Sequence, residues 1–159
     1  INIPPSTNKA LLSGEDVGLK IKRLLPKAKI IVSTSYLDKL RIQNIVQSLN
    51  PDGFLIKNDF NAEELKSAIN NIIYNPPYYS RTVLASFQKK ATQIYVIDEI
   101  DRQLLFELSL GTKMKQLSKI IPLSVGGIER RKRRLREIFN LTNKEDRDLI
   151  LIAKEKGFL

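Results

Sequence analysis

The sequence predicts two architectures in one chain. Residues 1–74 read as a partial α/β unit, an open parallel sheet of the doubly wound kind, and residues 98–159 as an all-α unit of four helices. Short apolar runs rich in β-branched residues alternate with helical periodicities up to residue 74, and no strand signal returns after Asp98. Between them Asn75-Pro76-Pro77 stops the alternation, so residues 75–97 are expected to be a linker with some helix at 82–91.

The first helix is expected at 14–25, where Val17, Leu19, Ile21, Leu24 and Leu25 keep a mostly helical spacing that Pro26 stops. KIIVSTS (29–35) has the length and composition of a buried parallel strand. Leu37, Leu40, Ile42, Ile45, Val46 and Leu49 return to helical spacing over 37–49, until Asn50-Pro51-Asp52-Gly53 breaks the chain. GFLIK (53–57) is a second short strand. Asn61 is suited to cap the next helix, whose buried face is marked by Leu65, Ala68, Ile69, Ile72 and Ile73. In the second half, helices are expected at about 98–110, 113–121, 125–138 and 144–156.

Composition removes several classes of function. The 159 residues contain no cysteine and no histidine, which excludes disulfides, thiolate metal sites, imidazole bases and the usual nucleophilic triads. The acids Asp52, Asp59, Glu63 and Glu64 read as turn and helix-start residues, and no enzyme is expected. No apolar run reaches the roughly 18–20 residues of a membrane span, and no signal-peptide pattern opens the chain, so a cytoplasmic location is expected.

Charge is unevenly distributed. Of 27 Lys and Arg residues against 17 Asp and Glu, nine cations fall within residues 111–140 beside only Glu129 and Glu137, a local excess of +7. Six of them lie in IERRKRRLREIF (128–139): Arg130, Arg131, Lys132, Arg133, Arg134 and Arg136. In a helix, Ile128, Leu135, Ile138 and Phe139 share one face and leave the rest of the surface cationic. Such a run is ordinarily a solvated helix face. The preceding segment favours a nucleic-acid site instead. There Gly111 ends one helix, Met114, Leu117, Ile120 and Ile121 face inward on the next, Pro122-Leu123-Ser124 turns the chain, and Ser124 can cap the basic helix. The B-DNA major groove admits one such helix. Acidic lipid is a weaker partner, because the helix lacks bulky exposed hydrophobes.

Residues 110–141 resemble the helix–turn–helix of LuxR-type regulators without a gap. Gly111, Leu117, Ser118, Ile121, Leu123, Ser124, Ile128, Leu135 and Phe139 fall where that family has its glycine, apolar core, small residue and capping serine. Residues 97–108 resemble its leading helix and 144–159 its last. Gly126, Gly127, Lys113 and Glu129 depart from the family pattern, so no base preference carries over. Lys119, Ser124, Arg130, Arg131, Arg133 and Arg134 are the DNA-binding candidates, with Arg130, Arg133 and Arg134 foremost. A basic module for RNA or protein is the competing reading of this segment.

Residues 1–74 resemble the second half of a response-regulator receiver, a flavodoxin-like fold. Thr34 stands at the end of that family's fourth strand, Lys57 follows the fifth, and Phe54 falls at the switch aromatic. Taken singly they are an ordinary strand-end threonine, a surface lysine and a core ring. The phosphoacceptor aspartate would immediately precede Ile1, and the acidic pair that holds Mg²⁺ is missing, so the sequence reads as part of a longer regulator. No cofactor is expected in this chain; Mg²⁺ is implied only for an intact receiver. The resemblance implies a LuxR/NarL-class response regulator whose partners are double-stranded DNA, a sensor histidine kinase and, on DNA, a second copy of itself. The alternative is a phosphorylation-independent adaptor with a degenerate receiver.

Overall fold

A computed structural model describes residues 3–8, 10–88, 95–142 and 145–159. It contains a small parallel sheet and, among the described residues, eight α-helices, and the chain divides into two compact units between Val96 and Ile97. The ends expected for helices at 91 and 144 lie outside the described residues, as do Ile1 and Asn2.

In the first unit, α1 (Gly14–Leu24) starts at Ser13, whose Oγ accepts from Asp16 N. It carries Glu15 and Asp16 in its first turn and Lys22 and Arg23 in its last, matching the helix dipole. Strand β1 (Ile31–Thr34) follows, then α2 (Lys39–Leu49), capped by Asp38 and ended by Asn50 in the left-handed region at φ 44°. Strand β2 (Gly53–Ile56) leads through a 3₁₀ turn, Lys57–Asp59, to α3 (Ala62–Tyr74). Asn61 caps α3 in a reciprocal box with Glu64, as its position predicts.

Val32 pairs with Phe54 and Thr34 with Ile56 in parallel register. Val32, Phe54 and Ile56 pack with Ile42, Ile45 and Leu49 of α2. On the opposite face, Gly53 lies so close to α3 that a Cβ there would stand 2.4 Å from Ile72 Cδ1. Helices therefore cover both faces, as a doubly wound sheet requires. A buried pair, Arg41 Nη1 to Glu15 Oε2 at 2.5 Å, joins α2 to α1, and Ser48 Oγ donates to the same carboxylate.

Residues 75–88 are not a linker. Tyr78–Tyr79 form β3, which pairs with Gly53 and Phe54 and completes the order β1-β2-β3. Tyr78 N donates to Asp52 O and Ser80 N to Phe54 O, both at 2.9 Å. Helix α4 (Arg81–Gln88) then places Val83 in the sheet core. The helix expected at 82–91 is present in its described part as α4, whereas β3 was not expected, because two residues after a Pro-Pro pair are too short to show periodicity and their pairing comes from β2.

The second unit consists of α5 (Glu99–Ser109), α6 (Met114–Ile120), α7 (Val125–Ile138) and α8 (Asp146–Glu155). Gly111 follows α5 at φ 76°, as predicted. The core joins Leu104 and Leu105 of α5, Leu117 of α6, Ile128 and Leu135 of α7, and Leu149 and Ala153 of α8. The rings of Phe139 and Phe158 close one end, 5.7 Å apart.

Candidate nucleic-acid interface

Helix α7 follows α6 after only four residues, Ile121–Ser124. Ser124 Oγ accepts from Gly127 N at 3.2 Å, so this hydroxyl is engaged in capping. The predicted apolar seam is buried throughout: Ile128, Leu135, Ile138 and Phe139. Leu117 and Ile121 also face inward, but Ile120 is 45 % exposed. It sits in the last turn of a seven-residue helix, where helical spacing no longer guarantees a neighbour.

The six cations of α7 divide into three bands. Toward α5, Arg131 Nη1 meets Asp98 Oδ1 and Oδ2 at 2.8 and 2.7 Å and Asp101 Oδ1 at 2.8 Å, and Arg134 Nη1 meets Asp101 Oδ2 at 3.0 Å. Toward α8, Lys132 Nζ and Arg136 Nη2 both reach Asp146, at 2.8 and 2.6 Å. Outward stand Arg130 and Arg133, both exposed, with no carboxylate within ion-pair distance among the described residues. On an ideal helix, Gly126 and Glu129 share this outward stripe. A groove of about 760 Å³ lies between this stripe and the start of α8, lined by Arg130, Arg133, Lys132, Arg136, Leu141 and Asp146 among others. Lys113, Lys115 and Lys119 of the α6 region are exposed as well.

Ionisation follows this geometry. Burial raises the Asp98 carboxyl, but hydrogen bonds from Arg131 and Asp101 N and the nearby guanidinium charges outweigh it, leaving Asp98 below the usual aspartate range. Asp101 goes the other way. Its burial, aided by the charge of Asp98, outweighs Arg131 and pushes it up. For Arg131, burial is overcome by hydrogen bonds to both aspartates, and its pKa rises.

Of the sequence candidates, Arg130, Arg133 and Lys119 are free to meet a ligand, whereas Arg131 and Arg134 face the protein's own acids. Sequence reasoning missed Asp98, Asp101 and Asp146. Their signal was a set of carboxylates at helix starts, which locates a cap without identifying partners roughly 10–33 residues away in the chain.

In the first unit, Thr34 and Lys57 lie at the carboxyl ends of neighbouring strands. Thr34 is buried and its Oγ1 accepts from Tyr36 N at 3.2 Å, while Lys57 is exposed. Phe54 is wholly buried in the core cluster. Among the described residues, no group of three or more His, Cys, Asp or Glu could hold a metal ion. Asp59, two residues past Lys57, accepts instead from Ser80 Oγ, Thr82 N and Thr82 Oγ1 at 2.6–2.8 Å. Among the described residues, no helix is long and apolar enough to cross a membrane.

No family model matches this chain, and no curated protein does. Among solved structures, the response regulator ChrA of a heme-sensing two-component system is 15 % identical and aligns over 100 % of this chain and 74 % of its own, with a TM-score of 0.44. A likeness of that degree decides neither fold nor function.

Proposed function

We propose that the chain is the DNA-binding part of a two-component response regulator of the LuxR/NarL class. In this reading α6 and α7 form a helix–turn–helix, and α7 enters the major groove with Arg130 and Arg133 toward the duplex. Lys119 meets phosphate. The protein acts by binding and is no enzyme. Phosphorylation by a sensor histidine kinase, on an aspartate outside this sequence and with Mg²⁺ in the intact receiver, acts through Thr34, Phe54 and Lys57 to control a dimer on DNA. The observation that carries the reading is the outward pair Arg130 and Arg133 on a capped helix whose apolar seam, Ile128, Leu135, Ile138 and Phe139, is buried.

The test is an anisotropy titration of a labelled duplex across salt. Three cations meeting three phosphates give a log–log slope near −2.7, or about a 40-fold loss of affinity over a fourfold salt increase. Arg130→Ala with Arg133→Ala should make that slope shallower by about 1.8 while leaving the melting temperature nearly unchanged. A flat salt response, or a double variant that binds like wild type, refutes the assignment.

One observation favours a second reading, a protein adaptor. Leu24 and Leu25, adjacent at the end of α1, are 68 % and 62 % exposed, an apolar pair that a protein partner would cover. Size-exclusion chromatography of the full gene product with and without an acyl-phosphate donor separates the two, because the adaptor shows no response.

A further inference from the structure

Helix α7 is held from both flanks by cationic side chains donating to carboxylates. Arg131 and Arg134 give guanidinium N–H groups to Asp98 and Asp101, whose oxygens accept as phosphate oxygens do. These acids are firmly placed. Asp101 is wholly buried, and Asp98 Oδ1 accepts from Asp101 N at 2.8 Å while Asp101 Oδ2 accepts from Asp98 N at 3.3 Å. Two cations and two anions in one contact cancel, so beyond a Debye length of about 8 Å a nucleic acid meets a nearly neutral patch. Opposite, Lys132 and Arg136 share Asp146. The two holds fix the rotation of α7 about its axis, leaving the stripe of Arg130 and Arg133 outward.

We propose that Asp98 and Asp101 serve as an internal phosphate mimic that keeps Arg131 and Arg134 as positioning residues and confines DNA contact on α7 to Arg130 and Arg133. The proposal rests on the DNA-binding reading. It divides neighbouring arginines by role: Arg133 contacts DNA and Arg134 aims it.

The test is the salt dependence of binding to a fluorescein-labelled 30-base-pair duplex of arbitrary sequence, measured on the whole chain. Asp98→Asn retains a capping side chain for α5 but removes one mimic charge. The expected result is tighter binding at low salt and a slope steeper by about 0.9, from one released cation reaching phosphate. An Asp98→Asn protein with native circular dichroism and the wild-type slope overturns the proposal. Should Asp98→Asn not fold, Arg134→Gln decides, since that side chain is 43 % exposed and its loss is tolerable. The expected outcome is a lowered melting temperature with the wild-type slope, and a slope shallower by about 0.9 overturns the proposal. If wild type itself shows no salt dependence, the DNA reading falls and takes the proposal with it. In every other negative outcome the proposal falls alone.

Discussion

Gly126 is the second residue of α7, and nothing in the fold requires a glycine there. Its backbone is not among the left-handed residues, and a Cβ built on it meets no atom within 4 Å. Gly126→Ala should therefore stabilise the second unit, chiefly by narrowing the unfolded ensemble, by about 0.4–1 kcal/mol. The first-turn position keeps the gain below the full helix-propensity difference of about 1 kcal/mol. For a unit of this size each kcal/mol moves the midpoint by roughly 4–8 °C, so the melting temperature should rise by about 2–8 °C. Differential scanning calorimetry of the whole chain measures this, with the two units fitted as separate transitions. An unchanged or lowered midpoint for the second unit refutes the reasoning, because it means Gly126 has a structural role that neither backbone nor packing reveals. The same variant bears on function. The added methyl lies on the stripe of Arg130 and Arg133, so in the DNA-binding reading it should weaken duplex affinity while the midpoint rises. Opposite signs in the two measurements assign this glycine to the interface.

Gly53→Ala should act in the opposite direction. The new methyl would stand 2.4 Å from Ile72 Cδ1, a side chain that is wholly buried, and the overpacking should cost about 1–3 kcal/mol in urea unfolding of the first unit. Leu135→Ala empties the centre of the α7 seam and should lose about 2–5 kcal/mol from the second unit; a loss under 1 kcal/mol would mean the seam is not packed as described. Burial raises the Asp59 carboxyl, but hydrogen bonds from Ser80 and Thr82 outweigh it and leave Asp59 below its ordinary range. Its stabilising contribution is thus complete above the unfolded aspartate value of about 4 and is lost as pH falls through the lower folded value. Urea midpoints taken from about pH 6 down to pH 3 should decline for wild type and decline less for Asp59→Asn; parallel curves would contradict this assignment.

What could be read from the sequence was local. Asn61 before a Glu three residues on, Gly111 after an apolar run, and Ser124 before the basic helix each identify themselves by short-range chemistry, and each occupies the cap or turn expected of it. The β3 strand was invisible because Tyr78 and Tyr79 are a strand only through Asp52 and Phe54, over twenty residues away. Ile120 shows the converse: its spacing matched the buried face, but α6 ends before a partner reaches it.

The charge run shows where sequence reading stops. An excess of +7 over residues 111–140 counts side chains, whereas a ligand responds to charge left unpaired after folding. Asp98, Asp101 and Asp146 lie outside that window yet neutralise its cations, cutting the local excess from seven to four. The pairing is also selective by helical angle. Arg131 and Arg134 are three residues apart and turn to α5; Lys132 and Arg136 are four apart and turn to α8; Arg130 and Arg133 are left on the remaining side. A run of six cations is thus two structural anchors and one outward pair. Total charge therefore overstates the expected salt slope: six phosphates would give about −5.4, whereas the outward pair with Lys119 gives about −2.7. A measured slope near the larger value would mean that the carboxylates release their arginines when DNA arrives, and that the ion pairs are exchanged for phosphate contacts.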